Sequence, residues 1–320
     1  QEFLIHIAKP DGTVPSVGDS FSDNVMRHPK ESVTNEHLLF EITNGLEGVE
    51  IENKSIVYSD AGIAVFKNDW DNEKPIYFSL FNAYHSFVHK QSDDLSFVLT
   101  YGDTDFFVDG GKYNFVESDP YRIFIRSVFA HNTISVDNQT YDFREESFIG
   151  DPVIDNFHIG SDYSFVKASH SIFDGVDITR TIIFFSQGAI YIHDSITSND
   201  LHSYSQIFNI GQDVDLDVNN SRNISLTSSI DGSQINLKQL NNIDGFTSYY
   251  GSLEPMRGWK STTFNQIEPI SSLSYYLDGS DVEFSTTISI DLDIDGVEHN
   301  DGSYKITFSS GDEIVVDTDE

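Results

Sequence analysis

Between Tyr84 and Thr133 the chain gathers the side chains best suited to moving protons and holding anions. They are His85, His89, Asp93, Asp94, Asp109, Arg126 and His131, set in YHSFVHKQSDDLSF, VDGGKY and RSVFAHNT. An imidazole titrates near neutral pH and can take or deliver a proton. A guanidinium can grip a carboxylate through two parallel hydrogen bonds. An Asp and a His brought together can form a hydrogen-bonded pair or supply two ligands to a divalent metal. Adjacent Asp93 and Asp94 invite comparison with the carboxylate pair of a glycosidase. Neighbours in an extended segment face opposite ways, so local capping is the expected role.

Local elements must bring these groups together. LSFVLT, the polar turn YGDTD and FFV read as a hairpin over Leu95–Val108. The apolar run Ile123–Val136 reads as a further strand carrying Arg126 and His131. Strand alternation would put Arg126, Val128 and Ala130 on one face and His131 on the other. Two hairpin-linked strands could bring residues about 20 and 40 positions apart onto one surface.

These residues, in this order, resemble the β-domain of heparinase II/III-like polysaccharide lyases. That family shows His-Lys-His-x-Asp-x-Leu-Ser-Phe, then Val-Asp-x-Gly, then Ala-His-Asn-Thr-Val. Here HKQSDDLSF, VDGGKY and AHNTI stand in those places. The resemblance runs from about residue 10 to the C-terminus, its specific motifs lying within 84–137. It implies an all-β, large antiparallel two-sheet β-sandwich with a short loop and helix lead, the end of an α/α toroid lying upstream. It implies a lyase that cleaves uronate-containing glycans by β-elimination, with His89 and Arg126 as catalytic candidates. His85, Tyr84 and Tyr113 are the substrate-binding candidates. Relatives that bind metal take ligands from positions occupied here by Gln91, Asp109 and His131. Gln91 departs from the pattern, because a neutral amide replaces an imidazole and is a poor zinc ligand. No cofactor is required; a divalent metal, zinc or calcium, at Asp109 and His131 and a metal-free polar cluster are the two readings. The resemblance also implies an anionic polysaccharide as partner and a secreted or periplasmic location. The family's general acid, a Tyr, and its uronate-neutralising Asn or His come from the toroid, so this chain would hold half of an active site. The competing class is a non-catalytic carbohydrate-binding or structural β-domain that kept the lyase fold.

Composition agrees with strands. The 320 residues include 25 Phe and 15 Tyr but only eight Pro and two Met, and Val, Ile, Thr and aromatics favour pleated surfaces. Turn signals recur every 8–12 residues or so, as in a sandwich. Residues 1–50 read as loop and short helix, with TNEHLLFEITN the helix, Thr34 its N-cap and Gly45 its stop; residues 51–320 read as the β-domain. With no cysteine, disulfides and thiolate metal sites are excluded. Eighteen Lys+Arg against 52 Asp+Glu give a net charge of −34, which repels nucleic acid and anionic membranes. No apolar run approaches the roughly 20 residues a membrane helix needs. The opening QEFLIHIAKPDG lacks the basic start and apolar core of a signal peptide; because it starts on Gln rather than Met, a processed or trimmed product is expected. DLDIDG (291–296) mimics a calcium loop but has Gly302 where the twelfth-position Glu belongs. Trp70, Tyr113, Tyr249, Tyr250 and Trp259 are candidates for stacking on sugar rings.

Overall fold

From Ile56 onward, period-two alternation becomes strand after strand in the computed structural model, which describes residues 1–68, 74–300 and 302–319. Trp70 lies outside the described residues. Five strands, β1 (Ile56–Tyr58), β2 (Ile63–Lys67), β3 (Ile76–Phe81), β4 (Ser96–Tyr101) and β5 (Thr104–Phe107), form an antiparallel meander in chain order. Its first turn requires glycine. Gly62 has φ 67°, and a Cβ there would lie 2.1 Å from the Asn82 carbonyl oxygen.

A ten-stranded sheet faces this meander. Its spine is the antiparallel pair Ala189–Asn209 and Ser271–Ser289, with an irregularity between Thr197 and His202. Strands 176–185, 163–170 and 153–159 extend one side, and 234–239, 223–228 and 214–220 the other. Phe66, Phe78, Leu80 and Phe97 pack against Ile182, Phe184, Ile190, Ile192 and Phe208 to fill the space between the sheets. Each such side chain stabilises the fold by about 1.5–3 kcal/mol through burial. This is the expected all-β sandwich. The end of the chain adds a layer. Strands 294–300, 303–308 and 313–317 form a three-stranded sheet whose Tyr304, Ile306, Phe308 and Val316 pack on Phe165, Ile183, Phe185 and Tyr191.

The lead contains α1 (Glu2–Ile7) and α2 (Glu36–Ile42). The cap of α2 is Asn35, whose side chain accepts from Leu38 N at 2.9 Å, rather than Thr34. The lead is pinned to the meander. Lys9 Nζ lies 2.9 Å from both Asp105 carboxylate oxygens, and Tyr77 Oη donates to Ile7 O at 2.9 Å.

One expected strand is replaced. Residues 120–125 form helix α3 (Pro120–Ile125), a 3₁₀ turn follows at Val128–Ala130, and only Ile134–Val136 is strand. Asp119 caps α3 by accepting from Tyr121 N at 2.9 Å, and Pro120 occupies the first turn. Asp-Pro is a helix-start signal that outweighs the apolar run after it. Arg126 is therefore a helix C-cap, and the alternating-face argument does not apply to it.

Candidate functional site

The loop segments of the central stretch rest on a buried ion pair in the sandwich. Arg180 and Asp194 sit opposite each other on neighbouring strands of the ten-stranded sheet, both fully buried. Nε and Nη2 of the guanidinium donate to Asp194 at 2.6 and 2.8 Å, while Nη1 donates to the carbonyls of Leu95 and Asn132. Asn132 in turn donates to the carbonyls of Phe97 and Val108 and accepts from Asn209 N. One guanidinium thus ties the DDLSF and AHNT segments to the sheet. Sequence reasoning singled out neither Arg180 nor Asp194; DITRTIIFF and IHDSIT each place one charge on an otherwise apolar strand face, and that was the available signal.

His131 follows directly. Its Nδ1 lies 2.6 Å from Asp109 Oδ2, and the ring is fully buried. Burial alone would lower the imidazole pKa, but the Asp109 charge and hydrogen bond outweigh it and the net direction is up. Asp109 Oδ1 also accepts from Gly111 N at 3.0 Å. Gly111 O accepts from Gln91 Nε2 at 3.1 Å, and the same Nε2 donates to Asp19 Oδ1 at 3.0 Å. Gln91 Oε1 and His131 Nε2 are buried without a protein partner.

Asp19, in the N-terminal lead, is the hub. Arg122 of α3 grips it with both terminal nitrogens, at 2.6 and 2.9 Å, and His89 Nδ1 lies 3.2 Å from Oδ2. Burial raises the Asp19 pKa, yet the bonds from Arg122, Gln91 and His89 prevail and hold it below the usual carboxylate range. The carboxylate is nearly buried, whereas the His89 side chain is 65 % exposed. With Nδ1 facing Asp19, Nε2 is the nitrogen left for a ligand. The His89 backbone has φ 62°, a left-handed conformation uncommon for a residue with a side chain. Neither Asp19 nor Arg122 was among the sequence candidates; Asp19 falls within residues 1–50, read as loop and short helix.

An apolar and cationic rim surrounds His89. Phe115 lies 6.5 Å from the His89 ring and 6.4 Å from Phe264, and both phenylalanines are exposed. Lys112 Nζ sits 4.6 Å from the Phe115 ring centre and 4.9 Å from that of Phe21. Exposed Phe87 and Val88 precede His89 on its loop, as does exposed His85.

Other expected site residues stand deeper. Arg126 is buried, stacks 3.8 Å from Phe143, and directs Nη1 to both Glu117 oxygens at 2.8 and 2.7 Å. Tyr84 is fully buried and its hydroxyl donates to Phe143 O. Tyr113 is half-buried, with φ 61°, and packs edge-on against Tyr121 at 5.8 Å. Asp93 and Asp94 are both held by Lys90, and Tyr141 Oη donates to Asp94 at 2.5 Å. Burial and the Asp93 charge raise the Asp94 pKa against the opposing pull of Lys90 and Tyr141.

The heparinase II/III-like C-terminal family model matches residues 51–296, which include His89, Gln91, Asp109 and His131. The chain belongs to this heparinase II/III-like family. Similar solved structures include the heparinase III BT4657 gene product (TM-score 0.82, 17% identity) and heparan sulfate lyase HepC from Pedobacter heparinus (TM-score 0.83, 17% identity). A further heparinase III structure gives a TM-score of 0.80 at 16% identity. Each match covers 98% of this chain but only 50%, 51% and 53% of the respective relative. The heparinase-like chain thus spans about half the length of the structures it resembles. No curated protein matches the sequence.

Proposed function

We propose that this chain is the β-sandwich half of a polysaccharide lyase acting on uronate-containing glycans, with His89 as the base. The carrying observation is the His89–Asp19 contact: a buried carboxylate, itself fixed by Arg122 and Gln91, holds one imidazole nitrogen and leaves the other facing the exposed rim. In β-elimination, a base removes the proton beside the uronate carboxylate. The electron pair of that C–H bond becomes the new C=C bond, and the glycosidic oxygen leaves with its bonding pair. His89 Nε2 would take the proton, and Asp19 would steady the imidazolium so formed. Lys112 and the faces of Phe115 and Phe264 suit an anionic sugar chain. Arg126, its charge already matched by Glu117, and buried Tyr84 support the loop from behind; His85 belongs to the rim, and half-buried Tyr113 packs on Tyr121.

We read the Gln91, Asp109 and His131 set as a metal-free polar cluster rather than a zinc site. Asp109 commits one oxygen to His131 Nδ1 and the other to Gly111 N, and Gln91 offers only a neutral amide oxygen. The pair serves instead to fix the AHNT segment, and no step runs through a metal. The leaving-group acid and the carboxylate neutraliser would come from an upstream helical toroid, and secretion or a periplasmic location would give access to polymeric substrate. A non-catalytic glycan-binding domain is the second reading, favoured by the Gln91 departure together with the aromatic rim.

The test is ultraviolet absorbance of unsaturated product from a panel of uronate polymers, using the protein with its upstream helical segment. Turnover abolished by His89→Ala with glycan binding kept supports the lyase. Binding without product from any polymer would leave the binding domain.

A further inference from the structure

A second cluster of ligating side chains lies away from His89, on the outer face of the ten-stranded sheet. His193 and Glu283 come from the two spine strands, where His193 pairs with Ser285 and Ser195 with Glu283. Alternation therefore puts His193 and Glu283 diagonally adjacent on one face. Asp194, the next residue, points the other way into the sandwich to meet Arg180. His299 arrives from the C-terminal three-stranded sheet, opposite Tyr304. The ligating atoms of His193, Glu283 and His299 all lie within 4.8 Å of one another, and they are the one such group of three among the described residues. His193 Nε2 is 3.6 Å from Glu283 Oε2, and the two imidazole rings are 4.6 Å apart.

We propose that His193, Glu283 and His299 form a divalent transition-metal site, best suited to zinc, that clamps the terminal three-stranded sheet to the sandwich. Tetrahedral zinc with bonds of about 2.0–2.1 Å places its ligand atoms about 3.4 Å apart, so side-chain rotation within the present arrangement suffices. The second shell is also built. Tyr304 Oη lies 3.0 Å from His193 Nδ1, where the ring's N–H can be held and its Nε2 lone pair turned toward the cluster. His193 is buried, while Glu283 and His299 are exposed, which leaves a path for the ion and a fourth position for water. Two imidazoles and one carboxylate suit zinc, nickel or copper better than calcium or magnesium. His299 lies beyond residue 296, where the family match ends, so the site draws on a part of the chain outside that shared region. Because one ligand sits on the added sheet and two on the sandwich, binding would stabilise their docking.

The probe is zinc chloride alone, titrated calorimetrically into the metal-stripped 320-residue chain in moderate salt, with thermal melting in parallel. One zinc per chain is expected, with a melting temperature raised by about 2–5 °C at saturation. His299→Ala and Glu283→Gln should each weaken binding by about tenfold or more and remove the thermal shift. Cobalt(II) provides a readout that needs no variant: intense visible bands of a tetrahedral nitrogen and oxygen site support the proposal. Only weak octahedral bands, no zinc uptake, or equal uptake by wild type and both variants would overturn it.

Discussion

Asp109 and His131 stand 22 residues apart in sequence and 2.6 Å apart in the fold, sealed from solvent. Because the folded imidazole pKa is raised, the folded state holds this proton more tightly than the unfolded chain. The stabilisation is full below the unfolded value of about 6.5 and is lost as pH rises through the folded value. Urea denaturation of wild type and Asp109→Asn should therefore show the largest difference at mildly acid pH and a smaller one in alkali. Removing a partner from a buried charge costs about 3–5 kcal/mol. A difference that grows with pH would contradict this sign.

His170 should behave oppositely. Burial, with smaller contributions from Lys90 and Arg180, pushes its imidazole down to about 3. The unfolded chain binds this proton first, so stability is whole above about pH 6.5 and drains away as pH falls toward the folded value. His170→Gln, which cannot titrate, should lose stability less steeply on acidification. An unchanged slope in denaturation midpoints would show that His170 does not carry this part of acid unfolding.

The Arg180–Asp194 pair makes a third prediction. Asp194→Asn leaves a buried guanidinium underneutralised, and Arg180→Met leaves the carboxylate charge unpaired, with Gln206 Nε2 still donating to it at 2.8 Å, and removes the donor to the carbonyls of Leu95 and Asn132. Each should cost about 3–5 kcal/mol in denaturant unfolding. A loss below 1 kcal/mol or so, comparable to an exposed pair, would mean that water reaches the site.

Alternation exposed the strands because their core-facing positions are apolar, and the Asp109–His131 encounter followed from the spacing of the family motifs together with the hairpin pattern. The Arg126 strand failed because Asp119 and Pro120 start a helix that the apolar run concealed. Asp19 was hidden for a different reason. Its partners His89 and Arg122 lie 70 and 103 residues away, and only the docking of the lead onto the meander brings them together. The His193, Glu283 and His299 group is likewise set by the packing of one sheet on another, which no local pattern encodes.

On the proposed lyase reading, the 320 residues alone should show little or no turnover on uronate polymers, whereas the same residues preceded by a helical toroid should cleave one of them. As the proposed base, His89 would supply a single proton transfer, worth about 10²–10⁴-fold. Protonating the leaving oxygen and relieving the carboxylate charge require donors placed opposite His89, and loss of such positioning can cost several kcal/mol, of order 7–11 at the extreme. In the longer protein, His89→Ala should lower kcat far more than it raises KM, since a base acts chiefly in the transition state. Asp19→Asn should cost less and change the pH dependence of kcat, because it removes the charge that steadies the imidazolium while leaving the base in place. Arg122→Lys provides the comparison: it keeps the charge beside Asp19 but loses the two-pronged grip, and should lower kcat without moving the pH profile. Full turnover by the 320 residues alone would mean that the missing acid is already present, with Tyr113 and Lys112 the first residues to replace.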